Sequence, residues 1–163
     1  MTILVKNKHT LQIDEFTFKC CIGENGSTKS KREGDKKSPK GTFEIGNLYF
    51  RKDRIKKPLT LLKCIPIKKN MGWCNDINNK LYNKEIKIKK GVKYEKLFRN
   101  DYKYNYFIPV KYNWQKPEKN RGSAIFIHLT KNYNPTAGCI ALSLKDFLIL
   151  AKLIKKNTKI KIV

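Results

Sequence analysis

A single segment of this chain carries a clear helical pattern, and most of the remaining segments have the pattern of short strands. The helix is predicted to begin after Ser143, which stands three residues before Asp146, the spacing of a capping box. Its apolar residues recur at helical spacing: Leu144, Phe147, Leu148, Ala151 and Ile154. One helix among many strands indicates an α+β, β-dominated fold.

The strand candidates share β-branched, aromatic or other apolar residues: Thr2–Val5, Phe16–Ile22, Thr42–Phe50, Leu59–Ile67, Phe107–Tyr112, Ala124–Leu129 and Lys159–Val163. Residues Gly23–Lys40 are predicted to form a long loop, and Met71–Tyr82 to be irregular because it is rich in turn-forming residues. Tyr94–Arg99 is predicted to form one helical turn, and Asn157 to end the helix. With 163 residues, the chain has the size of one domain, which we expect to span residues 1–163.

The chain is strongly basic, with 37 Lys and Arg against 13 Asp and Glu, a net charge of +24. Nearly all of these cations are lysines, whereas proteins that bind phosphates favour the forked guanidinium of arginine. A solvated lysine surface is the plainer interpretation, and attraction of an anionic partner is the functional one. A nucleic-acid-binding module remains an alternative, because YKYNYFIPVKYNW at 102–114 interleaves lysines with aromatic residues that could stack on bases.

Several classes of protein are disfavoured by the composition. No apolar run approaches the roughly 20 residues that a membrane-spanning helix requires. Five cysteines without a Cys-x-x-Cys pair, beside only two histidines, supply a metal site poorly, and we expect neither metal nor cofactor. An odd number of thiols and a first segment without a secretory pattern suggest the cytoplasm, or the periplasm if a signal has been removed.

Two neighbouring segments contain the side chains that could catalyse a reaction. RGSAIFIHL at 121–129 ends in a strand that presents His128, and PTAGCIALS at 135–143 places Cys139 after Gly138. A thiol becomes a nucleophile when a base accepts its proton, and backbone N–H groups at Gly138 and Cys139 could bind an oxyanion. By residue type alone, Cys139 could equally be a core residue and His128 a hydrogen-bonding residue at the end of a strand.

Three blocks of the sequence resemble the L,D-transpeptidase (YkuD) family. His128 after an apolar strand, followed by Thr136-Ala137-Gly138-Cys139-Ile140, is similar to its catalytic motif. KREGDKKSPKGTFEIG at 31–46 resembles the K-x-x-G-D-x-x-T-P-x-G-x-F block, with Ser38 where Thr is usual. WCNDINNKLYN at 73–83 resembles a segment of one subgroup, which also has GSAIFIH and PTAGC-like blocks. The resemblance extends over most of the chain, from Gly23 to Val163.

This resemblance implies a β-sandwich with one main C-terminal helix and a cysteine enzyme acting on peptidoglycan stem peptides, which we expect to be a monomer. Cys139 would attack the bond between a diamino acid and D-Ala, with a pKa lowered by His128, and Gly138 would help to form the oxyanion hole. Many members have Arg two residues after the Cys, where this chain has Ala141. The substrate carboxylates would then be bound near Thr136 by Arg121 or Lys131.

The sequence does not decide which molecule accepts the acyl group. Attack by an amine of another stem would form a crosslink, as the family name implies. Attack by water would make the protein an L,D-carboxypeptidase that trims recycled tetrapeptides, which suits a cytoplasmic protein.

Overall fold

The computed structural model describes all 163 residues, which form fifteen strands and one helix. The elements in chain order are β1 (Thr2–Lys6), β2 (Thr10–Ile13), β3 (Phe16–Cys21), β4 (Ser27–Thr28), β5 (Ser38–Pro39), β6 (Gly41–Glu44), β7 (Leu48–Phe50), β8 (Cys64–Pro66), β9 (Met71–Cys74), β10 (Glu85–Lys87), β11 (Tyr94–Lys96), β12 (Tyr106–Pro109), β13 (Phe126–Leu129), β14 (Ile140–Leu142), α1 (Leu144–Leu153) and β15 (Lys159–Ile162).

Ten of the strands form one long sheet in the order β6-β15-β1-β2-β3-β14-β13-β12-β7-β8. Most neighbours in it are antiparallel, but β13 and β14 are parallel, with Ile127 opposite Ile140 and His128 opposite Ala141. A three-stranded sheet, β10-β9-β11, and the short pair β4-β5 complete the fold. The fold is therefore β-dominated α+β with one C-terminal helix, as expected for an L,D-transpeptidase-type sandwich.

The alternation of side chains along β13 divides the interior into two clusters, because successive residues of a strand point to opposite faces. Ile127 and Leu129 belong to the larger cluster of 25 buried residues, which also contains Phe147 and Leu150 of α1. Phe126 belongs to a second, mainly aromatic cluster of nine buried residues on the other face. His128 shares the face of Phe126, so the strand pattern directs it away from the helix.

Helix α1 begins as the sequence predicts. The hydroxyl oxygen of Ser143 accepts a hydrogen bond from the Asp146 N–H at 3.1 Å, which satisfies one of the free donors at the helix start. The helix ends at Leu153, and its C-cap is Ile154, whose N–H still bonds the Leu150 carbonyl, rather than the predicted Asn157. Ile154 is fully buried and turns the backbone towards β15, so its packing ends the helix earlier.

Five other segments differ from their predicted structure. The predicted loop Gly23–Lys40 contains the short strands β4 and β5, which pair with each other in parallel. Met71–Cys74, predicted to be irregular, is the central strand of the small sheet, and Tyr94–Lys96, predicted to be helical, pairs with it as β11. The single strand predicted over Thr42–Phe50 is divided into β6 and β7, which pair with different partners. The strand predicted over Leu59–Ile67 is only Cys64–Pro66. In each case pairing with distant segments decides the structure, and a local pattern does not contain that information.

Candidate active site

Cys139 and His128 line one cavity of about 340 Å³. His128 stands on β13, and Cys139 immediately precedes β14, the parallel neighbour of β13. Extending the register by one residue sets Cys139 opposite Phe126, and the Phe126 N–H does point to the sulfur, at 3.4 Å. Since alternate residues of a strand share a face, Phe126, His128 and Cys139 all lie on the face of the aromatic cluster.

Gly138 is needed for the turn that leads into Cys139. Its φ is +140°, a conformation that L residues rarely adopt, and a Cβ there would lie 2.8 Å from the Lys37 carbonyl oxygen. The Gly138 carbonyl accepts a hydrogen bond at 2.7 Å from Ser38, which is fully buried and in turn accepts one from the Gly23 N–H. Ser38 thus ties the 31–46 block to the cysteine turn.

Thr136 organises the backbone around the cysteine. Its hydroxyl donates to the Cys139 carbonyl at 2.6 Å and accepts from the Gly138 N–H at 3.1 Å. The Gly138 N–H, expected from the sequence to help bind an oxyanion, is therefore already engaged. The Cys139 N–H makes no hydrogen bond within the protein, and Cys139 itself lines the cavity.

The Cys139 thiol is held as a neutral group. Its sulfur donates to the Ala124 carbonyl oxygen at 3.2 Å, and the residue is only 8% exposed. Burial raises its pKa to about 12, and this effect outweighs the hydrogen bond from Phe126 and the charge of Lys31, which both lower it. The sequence-based expectation of a lowered pKa is wrong for this resting state, because burial penalises the thiolate more than nearby positive groups stabilise it.

We expect iodoacetamide at pH 7 to modify Cys139 slowly in the absence of substrate. Because burial raises the pKa of this thiol to about 12, very little of the reactive thiolate is present at that pH. Cys64 is half-buried on a strand at the edge of the large sheet and should react first. Peptide mapping by mass spectrometry over a time course measures both rates. Faster modification of Cys139 than of Cys64 would reveal a preformed thiolate.

A backbone carbonyl fixes the orientation of the His128 ring. Its Nδ1 lies 2.8 Å from the Leu129 carbonyl oxygen, and since a carbonyl can only accept, Nδ1 carries the proton. The Nε2 atom is then free to accept a proton. Burial lowers the pKa of His128 to about 4, so the ring is neutral at pH 7. The third group that orients the histidine, which the sequence did not identify, is thus the main chain of Leu129.

Tyr104 fixes the other side of the imidazole. The two rings meet edge to face at 5.3 Å between centroids, and Tyr104 is buried. Its hydroxyl donates to Glu95 at 2.9 Å, and the Arg99 guanidinium lies over the tyrosine ring at 4.9 Å from the centroid. Sequence reasoning missed this support because Tyr104 belongs to the aromatic run and lies far from His128 along the chain.

The 73–83 block supports the strand that carries His128. Asn83 accepts hydrogen bonds from the Trp73 indole N–H at 2.9 Å and from the Ala124 N–H at 3.0 Å. Tyr82 donates to the Glu33 carboxylate and accepts from the Gly122 N–H at 3.0 Å. Since Ala124 also holds the thiol, this block sets the position of the Cys139 sulfur indirectly.

Replacing Asn83 by alanine should lower the free energy of unfolding by about 2–4 kcal/mol. The side chain is 4% exposed, and its loss leaves the Trp73 indole N–H, the Ala124 N–H and two carbonyls without partners. Its φ of 57° also suits asparagine better than alanine. Urea denaturation measures the change, with Asn78→Ala, an exposed neighbour, as the matched control within about 0.5 kcal/mol. Equal stability of the two variants would contradict this account.

The two cations predicted to bind substrate are placed differently. Lys131 is exposed and lines the cavity, as does Thr136. Arg121 does not line the cavity. Its side chain is half exposed, lies 3.9 Å from the Glu118 carboxylate, and its carbonyl accepts from the Tyr112 hydroxyl. The structure therefore brings His128, Cys139, Gly138, Thr136 and Lys131 together and leaves Arg121 outside.

The aromatic run at 102–114 is largely interior. Tyr104, Tyr106 and Phe107 are at most 6% exposed and pack within the two core clusters. Their ring faces are engaged with other side chains, including a stacked Tyr106–Phe147 pair. These aromatic residues therefore belong to a strand and to the core. At these three rings no face is exposed on which a nucleic-acid base could stack.

The chain matches a known family. The family model described as YkuD, L,D-transpeptidase catalytic domain, matches residues 1–162. Comparison with curated proteins and with solved structures gave no match. No helix in the structure has the length and apolar character needed to cross a membrane.

Proposed function

The chain belongs to the YkuD family of L,D-transpeptidase catalytic domains, which act on peptidoglycan stem peptides, and from this premise we propose that it is a cysteine acyl-transfer enzyme. Cys139 is the nucleophile, and it attacks the carbonyl between the diamino acid and the terminal D-Ala of a tetrapeptide stem. The observation that carries this proposal is the shared cavity of Cys139 and His128, with Nε2 of His128 free to accept a proton.

The first step moves one proton and forms one bond. The Cys139 thiol releases its hydrogen bond to Ala124 and gives its proton to Nε2 of His128 while the sulfur bonds to the substrate carbonyl carbon. Because the resting pair is neutral, the two charges of a thiolate and an imidazolium need not exist in the buried site before substrate binds. The negative charge passes directly to the carbonyl oxygen as the bond forms.

The oxyanion of this tetrahedral intermediate is stabilised by the free N–H of Cys139. Gly138 acts by allowing the turn that exposes this N–H, while its own N–H stays with Thr136. When the intermediate collapses, the C–N bond breaks and the leaving amine of D-Ala takes the proton from Nε2 of His128. A thioester remains on Cys139.

The acceptor of the second step decides between two activities. An amine of a second stem attacks the thioester to give a crosslink, the reaction for which the family is named. Water gives a free tripeptide, which is the activity of an L,D-carboxypeptidase. In both cases His128, neutral again after the first step, accepts the proton of the incoming nucleophile.

Incubation of the purified protein with a free tetrapeptide or a disaccharide tetrapeptide tests the proposal. Mass spectrometry should detect loss of D-Ala and an acyl adduct on the peptide that contains Cys139. Tripeptide alone identifies hydrolysis, and a crosslinked dimer or exchange of the terminal D-amino acid identifies transpeptidation. Intact substrate with no adduct on Cys139 would refute the acyl-transfer mechanism.

A further inference from the structure

Some of the charged side chains that line the cavity form ion pairs, and others do not. Four cations and two carboxylates face it: Lys31, Arg99, Lys103, Lys131, Glu33 and Glu95. Lys31 is bound to Asp35 at 2.7 Å, and Arg99 to Asp101 at 2.6 Å and to Glu95 at 3.3 Å. Glu33 accepts hydrogen bonds from Tyr82 and from Ser123. Lys103 and Lys131 form no ion pair, so they supply the unneutralised positive charge.

Lys103 is the better positioned of these two lysines. It is half-buried, whereas Lys131 is exposed in the turn after β13. Its main chain is fixed at both ends, because its carbonyl accepts from the Leu129 N–H at 3.0 Å and its N–H donates to the Asp101 carboxylate at 3.0 Å. The first of these bonds ties it to the residue directly after His128.

The groups of the site follow one another along β13. Cys139 lies opposite Phe126, His128 comes two residues later, and Lys103 is bonded to Leu129 at the end of the strand. A peptide whose scissile carbonyl meets Cys139 and whose leaving nitrogen meets His128 continues in the same direction. In the leaving residue the carboxylate is separated from that nitrogen only by Cα. The free carboxylate of a C-terminal residue is therefore carried towards Lys103.

We propose that Lys103 binds the terminal carboxylate of the leaving residue and so restricts the enzyme to peptides that end one residue after the scissile bond. This inference rests on the proposed function, since it takes Cys139 and His128 as the reacting pair. An ammonium bound to a carboxylate forms a charge-assisted hydrogen bond, about twice as strong as a neutral one. The charge of Lys103 also lowers the pKa of His128, after burial, so a bound carboxylate would offset that charge and make the base stronger.

The experiment compares two tetrapeptides that differ only at the terminus, one with a free carboxylate and one with a carboxamide. The wild-type enzyme should cleave the free acid with a kcat/KM roughly 10-fold or more higher. Lys103→Met should lose that preference mainly through a raised KM for the free acid, so that it cleaves the two peptides with similar kcat/KM. Lys145→Met, an exposed lysine on α1 outside the cavity, is the matched control and should retain the preference.

The possible outcomes distinguish a failure of the proposed function from a failure of the role proposed for Lys103. If the wild type cleaves neither peptide, the proposed function fails first. Equal wild-type rates on both peptides would overturn the role of Lys103 and leave the function standing. An equal loss on both peptides in Lys103→Met would indicate a structural role and also overturn it, as would a loss of preference in Lys131→Met with none in Lys103→Met.

Discussion

A Cys139→Ala enzyme should release D-Ala from a tetrapeptide at least roughly 10³-fold more slowly than the wild type, because the covalent route through a thioester disappears. Cys139→Ser should be nearly as inactive, since a neutral imidazole removes a proton from a hydroxyl far less readily than from a thiol. Both variants should stay folded, with a free energy of unfolding within about 1 kcal/mol of the wild type. Release of D-amino acid measured by chromatography, together with urea denaturation, checks both statements.

The other cysteines provide the control. Cys21 is the most informative, because its sulfur lies 3.2 Å from the Asn134 carbonyl and 3.5 Å from the Thr130 hydroxyl, and both of those residues line the cavity. Cys21→Ala and Cys64→Ala should keep activity within a few-fold. If Cys139→Ala released D-Ala at the wild-type rate while Cys21→Ala did not, the nucleophile would be assigned to the wrong thiol.

Local sequence patterns predicted the parts of the fold that depend on neighbouring residues. The Ser143–Asp146 cap is such a part, because its hydrogen bond joins residues three apart. Another is the alternation along β13, in which Phe126 and His128 point to one face of the sheet while Ile127 and Leu129 point to the other, so that the strand contributes to both core clusters. The family motif around Cys139 is also short, which is why the sequence alone could predict that Cys139 and His128 share a site, and both residues line one cavity.

Met71–Cys74 was predicted to be irregular but is a strand, because its glycine has a role in packing. Gly72 favours a turn when it is considered alone, but here a Cβ would lie 3.0 Å from the Tyr94 ring. The missing side chain lets the neighbouring strand β11 approach, and both strands become regular through that pairing. A sequence pattern cannot contain this reason, because Tyr94 lies twenty-two residues away.

The electrostatics of the site depend on burial, which residue types do not reveal. The sequence suggested a base and many cations near Cys139, and these favour a thiolate. In the fold, burial dominates and holds both the thiol and the imidazole neutral at pH 7. Lys103 and Tyr104 were missed as site residues for a related reason, since only the pairing of β12 with β13 brings their segment beside His128.

His128→Gln should lower kcat/KM at pH 7 by roughly 10²-fold or more, the usual effect of losing a general base. Glutamine can still hydrogen-bond but cannot accept the thiol proton. The kcat/KM of the wild-type enzyme should also remain high down to an unusually low pH. Because the pKa of His128 is about 4, the base stays neutral down to about that pH, and activity should persist at pH 5, where an ordinary imidazole is protonated. A wild-type acid limb centred near pH 6.5 would contradict a buried histidine.

The same pKa predicts how stability depends on pH. Between about pH 6.5, the ordinary value, and about pH 4, the unfolded chain binds a proton at His128 that the folded chain does not. The free energy of unfolding should therefore fall as the pH falls through this window, by up to about 3 kcal/mol from this residue. In His128→Gln that contribution is absent, so urea denaturation of the two proteins at pH 7 and pH 4.5 should show a smaller loss for the variant. Equal losses would mean that His128 takes up its proton in the folded protein as readily as in the unfolded one, and the lowered pKa of His128 would then have to be abandoned.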